Sequence, residues 1–278
     1  MTSNLLSGLR RGVLKVRSVA GLEVGSLRAG QIVRNAFSLS LGAGVAQALM
    51  AVAYLLTSRY LGPERFGVLA SSLSTTALAA IIFNWGLDTW LLRAGSHDAQ
   101  HIDRLLGNAL LLKVGAGIPW MVGLTLLLPA VRPDVYPTWL VLLSAGAAWL
   151  EGIFSLILVA FKTLLHNRTT AWLLTASRAG IFVLTLMLVL TDAGTPMAFA
   201  LLRLGIGIVI VASSLFCLPF KVVVGSRFDL RRTWLSARPF ALSDLFTSVY
   251  VQADVTIAAL FLTQESVGLY TPASSIVN

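Results

Sequence analysis

Apolar residues run along this chain in long blocks separated by short polar islands, near 36–57, 66–92, 105–128, 138–161, 169–191, 196–218 and 239–262. About 20 helical residues cross a bilayer core of roughly 30 Å. Backbone groups in lipid must be satisfied within the segment, so such blocks form helices. The pattern predicts an all-α fold: a polytopic transmembrane helix bundle with one six-helix lobe and the first one to two helices of a second lobe. Residues 1–34 read as a basic cytoplasmic or interfacial segment and 35–218 as the first lobe. Residues 219–238 read as a basic cytoplasmic linker and 239–278 as the start of the second lobe.

Composition fixes the class. Of 278 residues, 56% are hydrophobic and 12% charged, against about 25% charged in soluble domains. The net charge of +9 is explained by topology. With the N-terminus inside, Arg10, Arg11, Lys15, Arg17, Arg28, Arg34, Arg93, Arg104, Lys162, Arg168, Lys221, Arg227, Arg231, Arg232 and Arg238 all fall on the cytoplasmic side. Only Arg59, Arg65 and Arg132 fall outside. Cytoplasmic loops carry excess Lys and Arg, so the basic balance requires no nucleic acid. Cys217 is the one cysteine, which excludes an intrachain disulfide.

Two polar islands resemble each other. "LGPERFGVLASSLS" at 61–74 aligns with "LTQESVGLYTPASS" at 262–275, matching Leu61 with Leu262, Glu64 with Glu265, Gly67 with Gly268 and Ser74 with Ser275. Each island joins the first helix of a lobe to its second. A carboxylate suits the positive end of a starting helix, and glycine permits close backbone approach. Gly62, Gly67 and Gly268 are therefore structural motif positions. A complete second repeat would extend well beyond Asn278, so the sequence reads as C-terminally truncated.

Those residues carry a family resemblance. Leu61, Gly62, Phe66 and Gly67, followed by Asp254, Val267, Gly268 and Tyr270, resemble the signatures of the polysaccharide-transport (Wzx-type O-antigen/oligosaccharide flippase) family, within the multidrug/oligosaccharidyl-lipid/polysaccharide exporter superfamily. The resemblance implies a two-lobed transporter of the cell inner membrane. Its cargo would be an undecaprenyl-diphosphate-linked oligosaccharide used for lipopolysaccharide O-antigen or exopolysaccharide. Implied partners are the lipid-linked oligosaccharide, membrane lipids, and a glycan polymerase or glycosyltransferases. No cofactor is implied.

Charges within the spans are the candidate site, because an ionisable group there is expensive and by default functional. Lys113, Arg178 and Arg203 are expected to bind the diphosphate headgroup in a cavity between the lobes, since arginine offers paired donors to phosphate oxygens. Glu151 and Asp254 are candidates for binding a coupling ion. Equally, Lys113, Arg178 and Glu151 can neutralise one another. Asp88 and Asp244 are expected to be solvated, or paired with Arg93 or Arg238. His97 and His101 lack a further metal-ligand set, and no nucleophile–base pair suggests an enzyme. Two other readings stay open: an ion-coupled multidrug exporter of the same fold, and a non-transporting membrane scaffold in a polysaccharide assembly complex.

Overall fold

The computed structural model describes the backbone of residues 29–277, and side chains from Ser40 onward except 248–254, 260 and 272–277. Residues 1–28 of the basic N-terminal segment, and the side chain of Asp254, lie outside the described residues. Every long element described is helical.

The first helix, α1 (Ala29–Ala79), contains the first apolar block and much of the second. Gly62 alone leaves the helical conformation, at φ 76° and ψ 164°, and Pro63 restarts the helix. Glycine tolerates that positive φ, while proline suits a first helical turn because its missing N–H would be unpaired there anyway. The polar island at 58–65 is thus a one-residue hinge.

The second block is broken again, where the sequence predicts one span over 66–92. The short α2 (Ile81–Asn84) ends at Trp85 and Gly86, both left-handed, before α3 (Leu87–His97) begins. Tertiary packing accounts for the break. A Cβ on Gly86 would lie 2.6 Å from the Phe240 carbonyl carbon. Beside it the Trp85 ring stacks on Trp234, with centroids 4.3 Å apart.

The remaining helices follow the apolar blocks: α4 (Ile102–Val131), α5 (Thr138–Thr163), α6 (Asn167–Leu190) and α7 (Pro196–Phe216), then α8 (Arg227–Phe261) and α9 (Gln264–Val277). Among the described residues, five helical segments are long and apolar enough to cross a membrane: Ser40–Asn84, Ala99–Val131, Thr138–Thr163, Asn167–Leu190 and Pro196–Phe216. The chain is a multi-pass membrane protein.

Contacts at each end of the bundle fix the alternation of helices. At one end, Tyr60 beside the hinge donates its hydroxyl to Asp192 at 2.7 Å and accepts from the Gly194 amide, tying α1 to the α6–α7 turn. At the other end, buried Asn108 accepts from the Gly225 amide at 2.8 Å, and Arg104 pairs with Asp229 at 2.7 Å. The basic stretch 219–238 is therefore non-helical only as far as Ser226. There a capping box with Asp229 starts α8, and the two side chains satisfy orphan amides reciprocally.

The repeat reappears in space. A Cβ on Gly67 would overlap the Gln264 carbonyl, 2.7 Å from its carbon. A Cβ on Gly268 would overlap the Pro63 carbonyl at the same distance. Gln264 is the repeat counterpart of Pro63, so α1 and α9 meet through a reciprocal contact, the geometry expected across a two-fold axis.

Candidate functional site

The cleft around Arg178 opens among four helices, α1, α5, α6 and α7. Its lining includes Leu73 and Ala77 of α1, Ser144 and Glu151 of α5, Ser177 and Arg178 of α6, and Arg203 and Gly207 of α7. It encloses about 570 Å³ of non-atom space, its open mouth included. Helix spacing explains the convergence: Ser144, Ala148 and Glu151 share one face of α5, as do Arg203, Ile206, Gly207 and Ile210 on α7.

Arg178 donates to Glu151 at 2.5 Å. The arginine side chain is 25% exposed and the carboxylate 54%, so the pair opens toward the cleft. Arg203 has no acid within ion-pair distance among the described residues. Its guanidinium instead lies over the Tyr54 ring, 4.9 Å from the centroid, an attraction to the ring's negative face. Arg203 also lines an adjoining hollow with Tyr54, Thr57, Thr185 and Phe199. Ser144 Oγ is buried without a protein hydrogen-bond partner. Two arginines against one glutamate leave the site with a net positive charge.

Lys113 is not part of this cleft. Its side chain is fully buried and donates to Asp88 at 2.6 Å and to the Gly152 carbonyl at 2.7 Å. Ser155 donates to the other Asp88 oxygen at 2.8 Å. The ammonium therefore ties α3 and α5 together. Asp88 takes Lys113 as its partner, where the sequence suggested Arg93 or Arg238. Asp244 accepts from Thr89 at 3.0 Å. Arg93 lies 5.9 Å from the centre of the Phe240 ring.

The structure thus brings Arg178, Glu151 and Arg203 together, sets Lys113 apart, and places Gly62, Gly67 and Gly268 at the hinge and the α1–α9 contact. The cleft holding the two arginines is lined by α1, α5, α6 and α7. Sequence reasoning missed Tyr54, Thr57 and Ser144. Neutral residues inside apolar runs carry no signal of which face they occupy. It also missed the α8 start, although "SRFD" at 226–229 spells a capping box. Among the described residues, no group of His, Cys, Asp and Glu is arranged to hold a metal.

Solved structures share this fold. MATE in the straight conformation aligns with a TM-score of 0.63 at 16% identity. An outward-facing multidrug resistance MATE family transporter of the MOP superfamily aligns at 0.63 and 17%. Each match covers 88% of this chain and 59% of the other. A MOP superfamily transporter from Pyrococcus furiosus, described as having a binding pocket of reverse polarity that suggests a different function, aligns at 0.57 and 14% identity, over 87% of this chain and 62% of its own. The chain spans about three fifths of the length of the two MATE structures. No curated protein matches it significantly. Residues 32–278 match the family described as polysaccharide biosynthesis protein, and a match over that much of its length shows that the chain belongs to this family.

Proposed function

We propose that this chain provides the cargo-binding lobe of a flippase that moves a polyprenyl-diphosphate-linked oligosaccharide across the cell inner membrane, with its N-terminus in the cytoplasm, for surface polysaccharide biosynthesis. The observation that supports this reading is the pair of intramembrane arginines, Arg178 and Arg203, on one cleft. Cations are costly within a bilayer, and arginine donors match phosphate oxygens. A diphosphate would take the place of the Glu151 carboxylate on Arg178 while its acyl tail stays in lipid. Displaced Glu151 would then be free to take up a coupling proton, with Asp254 a second candidate for the coupling ion. Lys113 is assigned to holding the lobe together, because Asp88 and Gly152 already occupy it. Enzymes that build and extend the glycan are the partners this role requires.

An exporter of cationic drugs calls for a cleft of the opposite sign. The Pyrococcus furiosus transporter, with its reverse-polarity pocket, supports the view that this fold accommodates more than one cleft polarity. Equilibrium binding of a fluorescent polyprenyl-diphosphate sugar to the chain in nanodiscs tests the proposal. Hydrogen bonds to charged groups contribute about 1.5–3 kcal/mol each, so Arg178→Gln should weaken binding by roughly 10–100-fold. Unchanged affinity in Arg178→Gln and Arg203→Gln together would remove the headgroup site.

A further inference from the structure

The first turns of α8 carry two kinds of face. Thr233 and Ala237 are buried and Trp234 stacks on Trp85, fastening one side to the bundle. The opposite side presents Phe228, Arg231, Arg232 and Leu235, spaced three and four residues apart, with Phe228 73% and Leu235 46% exposed. These residues and Ser236 line an open hollow of about 610 Å³ of non-atom space, mouth included. Neither arginine makes an ion pair among the described residues; the one acid nearby in sequence, Asp229, is taken by Arg104 and the Ser226 cap. Val222, Val223 and Val224, just before the helix, are also exposed.

We propose that this face is a docking site for anionic phospholipid headgroups of the cytoplasmic leaflet. The pattern of charge and apolar surface selects that occupant. Arginine stems lie along apolar surface while their heads reach polar groups. A helix presenting aromatic and aliphatic residues beside arginines matches the boundary between acyl chains and phosphates. Juxtamembrane cations are drawn to anionic lipid. A soluble acidic partner would offer nothing to Phe228 or Leu235. The capping box and the Arg104–Asp229 pair hold the face in place before any lipid arrives, so the lipid bears little ordering entropy. This inference concerns a surface separate from the Arg178 cleft and does not depend on the cargo.

Native mass spectrometry of the full chain, released from nanodiscs of phosphatidylcholine doped with phosphatidylglycerol, tests it. The expected result is selective retention of phosphatidylglycerol, reduced about tenfold by Arg231→Gln with Arg232→Gln and kept by the paired lysine replacements. Phe228→Ser should also reduce it. Undiminished phosphatidylglycerol retention in the paired glutamine variant would overturn the proposal, and so would equal loss of phosphatidylcholine. Competition by soluble pyrophosphate at matched concentration would assign the arginines to a free anion and overturn the lipid assignment. Should the glutamine pair fail to fold, the lysine pair and Phe228→Ser decide the matter: lost retention in the first, or full retention in the second, contradicts the proposal.

Discussion

Gly67 rests directly on the backbone of Gln264, and its repeat counterpart Gly268 rests in the same way on Pro63. Both contacts involve carbonyl groups, which cannot rotate aside as a side chain would. Overpacking typically costs about 1–3 kcal/mol, so Gly67→Ala and Gly268→Ala should each destabilise by about that much. Gly44, with nothing within 4 Å of an added Cβ, supplies the control. Gly44→Ala should be neutral or slightly stabilising, because alanine is the better helix former by about 1 kcal/mol. Thermal unfolding of the three variants checks the contrast.

The Lys113–Asp88 pair makes a second prediction. Removing one member of a buried pair strands a charge at a cost of about 3–5 kcal/mol, whereas replacing both with apolar groups is far milder. Lys113→Met should therefore destabilise more than Lys113→Met with Asp88→Leu. A double-mutant cycle in denaturant measures the coupling. Additive effects would mean that the two side chains act independently.

Glu151 and Arg178 should respond in opposite directions. Glu151→Gln frees the guanidinium and removes a competing anion, so diphosphate-lipid affinity should rise. Arg178→Gln should lower it. Titration of a labelled lipid against both variants reads the sign directly.

At the start of α8, hydrogen bonds from the Ser226 amide and hydroxyl, aided by Arg104, hold the Asp229 carboxyl below the ordinary carboxylate range. A depressed native value adds stability above the ordinary value of about 3.9. That contribution is lost as pH falls through the lowered one. Protection of the Ser226, Asp229 and Leu230 amides, measured against the intrinsic exchange rate at each pH, should fall across that acid window, and Asp229→Asn should show lowered protection at neutral pH as well.

The helices were legible because a bilayer leaves few alternatives for an apolar run. "LGPERFG" at 61–67 read as a turn between two helices, which the structure narrows to a break at Gly62, and the match of Gly67 with Gly268 paired two positions whose contact in space only the fold reveals. The break at Trp85 and Gly86 was hidden because its cause is α8, more than a hundred residues further along the sequence. Depth along a helix grouped Lys113 with Arg178, but depth does not give direction around the helix axis. Lys113 turns toward Asp88 and Arg178 toward Glu151, on different faces of the lobe.

Flipping of a labelled polyprenyl-diphosphate oligosaccharide in proteoliposomes tests the cleft most directly, comparing the unaltered protein with Arg178→Gln/Arg203→Gln and with Lys113→Arg. Flipping is expected when the unaltered chain stands in the complete two-lobed transporter, with loss in the paired arginine variant with its fold intact, and retention in Lys113→Arg wherever that variant folds. Normal flipping without both arginines would contradict it.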